Sequence, residues 1–76
     1  MTNKTLQIGT RRYTVTSTTT RTNNWGQLQT WTDLKGARGA DVTLIETHCK
    51  NRTVANLIHF GRSNPSETID PTLIKR

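Results

Sequence analysis

The stretch from Arg12 to Asp33 decides the fold of this chain, and it reads RYTVTSTTTRTNNWGQLQTWTD. Threonine recurs there at alternate positions on either side of the central asparagines. Threonine and other β-branched residues favour the pleated surface of a strand. Asparagine and glycine tolerate the backbone conformations of tight turns, so the NNWG sequence at 23–26 predicts a turn. The stretch therefore predicts two long antiparallel strands joined as a hairpin.

Side chains alternate across a strand, so the register of this hairpin decides which residues share a face. A turn of two or of four residues pairs odd-numbered with even-numbered positions. The better core face then holds Tyr13, Val15, Ser17, Thr19, Leu28, Thr30, Thr32 and Leu34. The polar face holds Arg12, Thr14, Thr16, Thr18, Thr20, Gln27, Gln29, Trp31 and Asp33. We therefore expect the even-numbered threonines and Trp31 to face outward together.

Turn signals divide the rest of the chain into further strands. The predicted strands cover residues 4–8, 11–22, 27–34, 41–49 and 53–60. The last two place Val42, Leu44, Glu46 and His48 on one face with Ala55, Leu57 and His59. Apolar residues on both faces of this pair are expected of strands that are buried on two sides or closed into a small barrel. The predicted fold class is all-β, a twisted antiparallel sheet or an SH3-like or OB-like barrel of about five strands. A flat sheet that dimerises is the alternative.

The end of the chain changes character. We expect an antiparallel β domain over residues 1–62 and a C-terminal tail over 63–76, either a short helix or disordered. The NPSE sequence at 64–67 is typical of a helix start, since Asn caps, Pro fits the first position and Glu reaches back to the cap. Pro71 ends that helix early, and Asp70 can cap a second short one.

The composition favours anionic partners. Eleven Lys and Arg against five Asp and Glu give a net charge of +6 and a pI near 10.5. Such an excess speeds association with nucleic acid or an acidic protein surface, although solubility alone also accounts for it. With 76 residues, 30% of them hydrophobic, the core is lean enough that pairing with a second copy is an open alternative. No stretch resembles a signal peptide or a membrane span, so we expect a cytoplasmic protein without membrane contact.

The reactive side chains do not form a catalytic or metal-binding pattern. Cys49 is the single cysteine, which excludes an intramolecular disulfide and a zinc ribbon. His48 and Cys49 are consecutive on a predicted strand and point to opposite faces. His48 and His59 share a face but lie several pairs apart, and the carboxylates are scattered. We therefore predict a protein that is not an enzyme and holds no metal or cofactor.

The polar face of the hairpin is the predicted binding surface. Trp31 can stack a nucleobase, and basic residues at either end of the hairpin can contact phosphates. The residues predicted to bind are Arg12, Thr16, Thr18, Arg21, Gln29, Trp31, Lys35 and Arg38. The alternative for Trp31 is that the tail or another sheet covers it as ordinary core. We expect Trp25 to pack over the end of the hairpin.

The leading prediction is a small non-enzymatic protein that binds single-stranded RNA or DNA, or that is associated with transcription. The alternative is a protein-binding regulator or inhibitor, of the kind a phage or mobile element encodes, that docks on an acidic host complex such as the transcription machinery. In that case a tryptophan is the hot spot, the arginines steer the encounter, and an exposed strand edge can join the partner's sheet. A homo-oligomer that buries the Thr/Gln face is a third hypothesis.

Overall fold

In a computed structural model that describes residues 4–36, 39–61 and 66–75, the chain forms one antiparallel sheet. Its strands are β1 (Thr5–Ile8), β2 (Arg11–Thr22), β3 (Leu28–Lys35), β4 (Asp41–His48), β5 (Thr53–His59), β6 (Ser66–Ile69) and β7 (Ile74–Lys75). The all-β prediction is confirmed. All five predicted strands are present, as β1 to β5, and their ends agree to within one residue. The structure adds β6 and β7, which the sequence did not predict.

The strand order explains why the sheet curls. The order is β6-β5-β4-β3-β2-β1-β7, so β6 and β7 lie at opposite edges of the sheet. Only residues 70–73 join them, including a 3-10 turn at Pro71–Leu73, and such a link spans at most about 18 Å. The two edges must therefore approach each other. The result is a curled half-barrel with extents of 35 × 34 × 21 Å. The predicted curled antiparallel sheet is therefore confirmed in outline, but it has seven strands where the sequence predicted about five.

The concave face of the half-barrel holds the core. The strand registers place every buried hydrophobic residue of the described chain on this face. These residues are Leu6, Ile8, Tyr13, Leu34, Val42, Leu44, Ala55, Leu57 and Ile69. Leu44 and Leu57 have no exposed side-chain surface, and they sit opposite each other on β4 and β5. The predicted faces of β4 and β5 are therefore confirmed.

A β-bulge in β2 shifts the alternation of its side chains by one residue, so that odd-numbered residues face the concave side before the bulge and the convex side after it. Val15 pairs with Leu34, whereas Ser17 pairs with Asp33, so Thr16 is an extra residue in β2. Beyond this point every side chain of β2 faces the side opposite to the prediction, because a shift of one residue exchanges the two faces. The threonines at 18, 20 and 22 now share the concave face with Thr30, Thr32 and Leu28. The predicted outward row of even-numbered threonines beside Trp31 is therefore wrong.

The carboxylate of Asp33 fixes the bulge in place. Ser17 Oγ donates to Asp33 Oδ2 at 2.7 Å, and Thr43 Oγ1 donates to Asp33 Oδ1 at 3.1 Å. Thr16 Oγ1 donates to the backbone carbonyl of the same residue at 3.1 Å. One aspartate therefore links β2, β3 and β4 at the position where the extra residue must be accommodated.

The predicted tail is part of the sheet. Ser66–Ile69 pairs with β5, and Ile69 is 7% exposed opposite Ala55. A strand replaces the predicted helix because its alternate residues, Glu67 and Ile69, face the concave side, where tertiary contacts outweigh local helix signals. The predicted cap residues Asn64 and Pro65 lie outside the described residues. The second predicted short helix is present as the 3-10 turn.

Two carboxylates hold the C-terminal segment. Asp70 Oδ1 accepts the Thr72 N–H at 3.0 Å, as the predicted cap requires, and the Thr72 backbone and hydroxyl lower the pKa of Asp70. Glu67 Oε2 lies 3.0 Å from His59 Nε2 and 3.3 Å from an Arg11 guanidinium nitrogen. These contacts lower the pKa of Glu67, the His59 hydrogen bond first. Since Arg11 belongs to β2 and Glu67 to β6, the cluster bridges the open side of the half-barrel.

Candidate nucleic-acid interface

The convex face carries an aromatic ring with a cation over it. Trp31 lies on β3 between Thr19 of β2 and Ile45 of β4, with a half-buried side chain. The guanidinium carbon of Arg21 is 4.8 Å from the centroid of its ring. A cation–π contact at such a partly exposed site is worth about 0.5–1 kcal/mol. The bulge makes this contact, because it moves Arg21 to the same face as Trp31.

Hydrogen bonds fix the orientation of the indole. The indole Nε1–H donates to Gln29 Oε1 at 3.2 Å. Gln29 Nε2 in turn donates to Thr47 Oγ1 at 3.0 Å on the neighbouring strand. The amide is therefore held by both of its ends, and the ring is oriented before any ligand arrives.

A second basic group lies on the same face, near the other end of β2. Arg12 pairs with Gln7 of β1, and Gln7 pairs with Lys75 of β7, so the three side chains form a row across the sheet. Together with Thr5 they line a shallow cavity of about 320 Å³. Lys35 lies one row away, with its Nζ 3.8 Å from Asp41 Oδ1. We refer to the convex-facing residues Arg12, Arg21, Gln29, Trp31, Lys35 and Lys75 as the convex platform.

Among the described residues, the acidic side chains all have local partners, whereas many basic side chains form no ion pair. Each acid has local partners: Asp33 and Asp70 accept hydrogen bonds, Asp41 and Glu67 form ion pairs, and Glu46 is 5% exposed and partnered. By contrast, several cations form no ion pair within the described residues. They are Lys4, Arg12, Arg21, Lys50, Arg52 and Lys75. The positive charge of the molecule is therefore free to meet an external anion.

The structure brings together most, but not all, of the predicted binding residues. Arg12, Arg21, Gln29, Trp31 and Lys35 share the convex platform. Thr18 lies on the opposite, concave face, and the hydroxyl of Thr16 is bonded to the Asp33 carbonyl at the bulge. Arg38 lies outside the described residues.

Lys75 is the platform residue that sequence reasoning missed, because the prediction placed it in a tail. The sequence signal that could have indicated it is the apolar Ile74 followed by the basic Lys75, because alternation of apolar and polar residues is typical of a strand.

Trp25 does not pack over the hairpin end as expected; it is 82% exposed. Its backbone N–H donates to Asn23 Oδ1 at 3.0 Å, which fixes the turn while the indole points away.

The histidine and cysteine side chains take part in local hydrogen bonds. His48 Nε2 lies 3.0 Å from Thr30 Oγ1, and Gln27 Nε2 donates to Cys49 Sγ at 3.5 Å. Within residues 4–36, 39–61 and 66–75, no three His, Cys, Asp or Glu side chains are grouped so as to hold a metal ion. The described part of the chain contains no helix with the length and apolar character needed to cross a membrane.

No family model, curated protein or solved structure matches this chain.

Proposed function

We propose that this protein binds single-stranded nucleic acid through the convex platform, without catalysis. The observation that carries the proposal is the Arg21 guanidinium held 4.8 Å over the Trp31 ring on an uncovered sheet face. Bases stack on aromatic side chains and on the guanidinium plane. Such stacking is worth about 1–3 kcal/mol per base and tolerates any sequence.

Basic side chains supply the second half of the interface. Lys35 is four residues from Trp31 on the same strand, which is about 13 Å, and Arg12 and Lys75 lie one row further on. A strand of RNA or DNA lying along β2 and β3 would meet a stacking group at one end and phosphate-binding groups at the other. Phosphate contacts of this kind position the ligand and add affinity without reading its sequence. Association with transcription in the cytoplasm is the biological setting that we propose.

A salt titration tests this function. We expect labelled oligo(dT) and oligo(U) to bind at low salt and to dissociate as salt rises. If about three cations contact phosphates, the slope of log K against log salt is about −2. Absence of binding to both oligonucleotides at low salt contradicts the proposal.

Two consecutive arginines provide a matched pair of variants. Arg12→Gln removes a cation from the platform, so we expect weaker binding and a salt slope smaller by about 0.7. Arg11→Gln removes the same charge from the concave face, where Arg11 pairs with Glu67. We expect this control to lower stability and to leave the salt slope unchanged. Equal slopes for the two variants would show that the bound anion does not lie on the convex face.

A second function, a protein-binding regulator, is favoured by the exposed aromatic side chains. Trp25 is 82% exposed and Phe60 is 64% exposed, and large exposed aromatics are typical anchors of protein interfaces. Capture of partners from nuclease-treated lysate separates the two functions. A stoichiometric protein partner that survives nuclease supports docking on an acidic protein, whereas loss of all partners with nuclease supports nucleic-acid binding.

A further inference from the structure

The distal part of β2 has one side that no described strand of the chain pairs with. β1 pairs with β2 only over Arg11–Thr14, followed by a hydrogen bond from the Val15 N–H to the Lys4 carbonyl at 2.8 Å. From residue 16 to residue 22, β2 pairs with β3 on one side, and no described residue pairs with it on the other. These seven residues present about 23 Å of open edge. Neither lysine nor proline, which commonly protect edges, occurs among them.

A cavity adjoins this edge on the concave side. It measures about 440 Å³ and lies beside the first residues of β1, where the open part of β2 begins. The lining residues are Lys4, Thr5, Leu6, Val15, Thr18, Thr30 and Thr32. Leu6, 3% exposed, and the half-buried Val15 give it an apolar floor. A strand placed beside β2 would direct every second side chain toward the concave face, so one of them would enter this cavity.

Two cations stand at the two ends of the open edge. Lys4 lines the cavity at the beginning of the edge. Arg21 lies on the convex side near its end and forms no ion pair within the described residues. A strand with acidic residues at matching positions would therefore be complementary in charge as well as in hydrogen bonding.

We propose that the open edge of β2 binds an extended segment of another protein by β-strand addition. The segment spans about seven residues, places an apolar side chain in the concave cavity, and carries acidic residues toward Lys4 and Arg21. A second copy of this chain fits poorly, because residues 16–22 of its own β2 would bring threonines to the apolar cavity and contain no acidic residue to meet Lys4 and Arg21. This site shares Arg21 with the convex platform, but it lies along the edge of β2 and does not depend on nucleic-acid binding.

Synthetic peptides test the proposal directly. The probes are acetylated peptides of about seven residues with valine, isoleucine or phenylalanine at the position that faces the concave cavity. One aspartate stands on the concave side near Lys4 and another on the convex side near Arg21, because these two cations lie on opposite sides of the sheet. We expect at least one to bind saturably and to shift the amide resonances of residues 16–22 and of Thr30 and Thr32. The same peptides with lysine in place of aspartate should not bind. Absence of saturable binding by the whole acidic panel, or shifts confined to the convex face, overturns the proposal.

Methylated peptides distinguish strand addition from other modes of binding. N-methylation at alternate positions removes the N–H donors from one edge of a strand and leaves the other edge intact. Of two peptides methylated in the two complementary patterns, one should lose binding and the other should retain it. Equal affinities would show that the peptide does not join the sheet.

Variants of the protein locate the site. Thr18→Phe fills the concave cavity and should weaken peptide binding by about tenfold or more, equivalent to about 1.4 kcal/mol. Thr19→Phe adds the same side chain on the opposite face and should leave peptide binding unchanged.

Sedimentation of the free protein gives the remaining test. A dimer that Thr18→Phe disrupts and Thr19→Phe preserves would assign the edge to a second copy and overturn the proposal.

Discussion

The two halves of β2 differ in the burial of their side chains and in the number of strands that they pair with. Over residues 11–15 the strand has neighbours on both sides and contributes Tyr13, 7% exposed, to the core. Over residues 16–22 every side chain is exposed, and one edge has no partner among the described residues. The concave side chains of the proximal half therefore support the fold and Arg12 on its convex side belongs to the convex platform, whereas the whole distal half is free to bind. A single extra residue, Thr16, marks the boundary between them.

This division separates stability from function within one sheet. Mutations near the core should act mainly on folding, and mutations on the distal hairpin should act mainly on binding. Substitutions of the same residue type in the two regions should therefore have different consequences.

The largest effect is expected in the core. Leu57→Ala removes a side chain with no exposed surface and should cost about 2–5 kcal/mol of unfolding free energy. Leu28→Ala makes the same change in the distal hairpin, where the side chain is 50% exposed, and should cost less than about 0.5–1 kcal/mol. Urea unfolding followed by circular dichroism measures both. Similar losses for the two leucines would mean that the distal hairpin is as well packed as the core.

The next largest effect concerns the two tryptophans. Trp31→Leu removes the stacking ring from the convex platform and should weaken single-stranded nucleic-acid binding by about 1–3 kcal/mol. Trp25→Leu removes the more exposed indole, which lies in the turn between β2 and β3, and should leave that affinity almost unchanged. Fluorescence anisotropy with a labelled oligonucleotide compares the two. If Trp25→Leu causes the larger loss, the ligand contacts the hairpin tip and not the platform.

A smaller effect is expected at the bulge itself. Asp33→Ala removes the acceptor of the Ser17 and Thr43 hydroxyls and should cost about 1–1.5 kcal/mol. It should also shift the amide resonances of residues 16–22, because the extra residue loses its anchor. Asp41→Ala is the control, since its ion pair with Lys35 is solvent-exposed and such pairs contribute at most about 1 kcal/mol. An unchanged spectrum of residues 16–22 in Asp33→Ala would show that the bulge does not need the carboxylate.

The bulge also explains how far the sequence could predict this molecule. Alternating β-branched residues and turn signals are local properties, and they located β1 to β5 correctly. The extra residue has no local signal, because Thr16 is one more threonine in an alternating run. The hydrogen bonds made at the bulge join Thr16 and Ser17 to Asp33, which is distant in sequence. Because of the bulge, Thr18 lies on the face opposite to the predicted binding surface, and Arg21 lies on the same face as Trp31. The sequence alone did not indicate either change.

The C-terminal segment shows that contacts between distant residues can also outweigh a local signal that is present in the sequence. Its residues carried strong local helix signals, yet Glu67 and Ile69 form a strand because His59, Arg11 and the core lie opposite them. Lys75 reached the convex platform for the same reason, since β7 exists only where the curled sheet brings β1 within reach. Both errors concern residues whose conformation is decided by contacts across the half-barrel.

The smallest expected effect is a pH dependence of the contact that closes the half-barrel. Because His59 and Arg11 lower the pKa of Glu67 in the folded state, its contribution to stability is complete above the unfolded pKa of about 4.3. The contribution is lost as the pH falls through the lower folded pKa, where the carboxylate becomes protonated in both states. The Glu67 side chain is 40% exposed, so solvent screening limits the effect to less than about 1 kcal/mol.

Comparison of the native protein with Glu67→Gln across this range measures the contribution of Glu67 alone, because all other titrating groups are shared. We expect the native protein to be the more stable of the two near neutral pH, and the difference to shrink as the pH is lowered below the ordinary pKa of glutamate. Urea midpoints at closely spaced pH values determine it. A difference that stays constant with pH would mean that the carboxylate charge does not hold β6 against β2. The closure would then depend on the packing of Ile69 and on the backbone hydrogen bonds that pair β6 with β5 and β7 with β1.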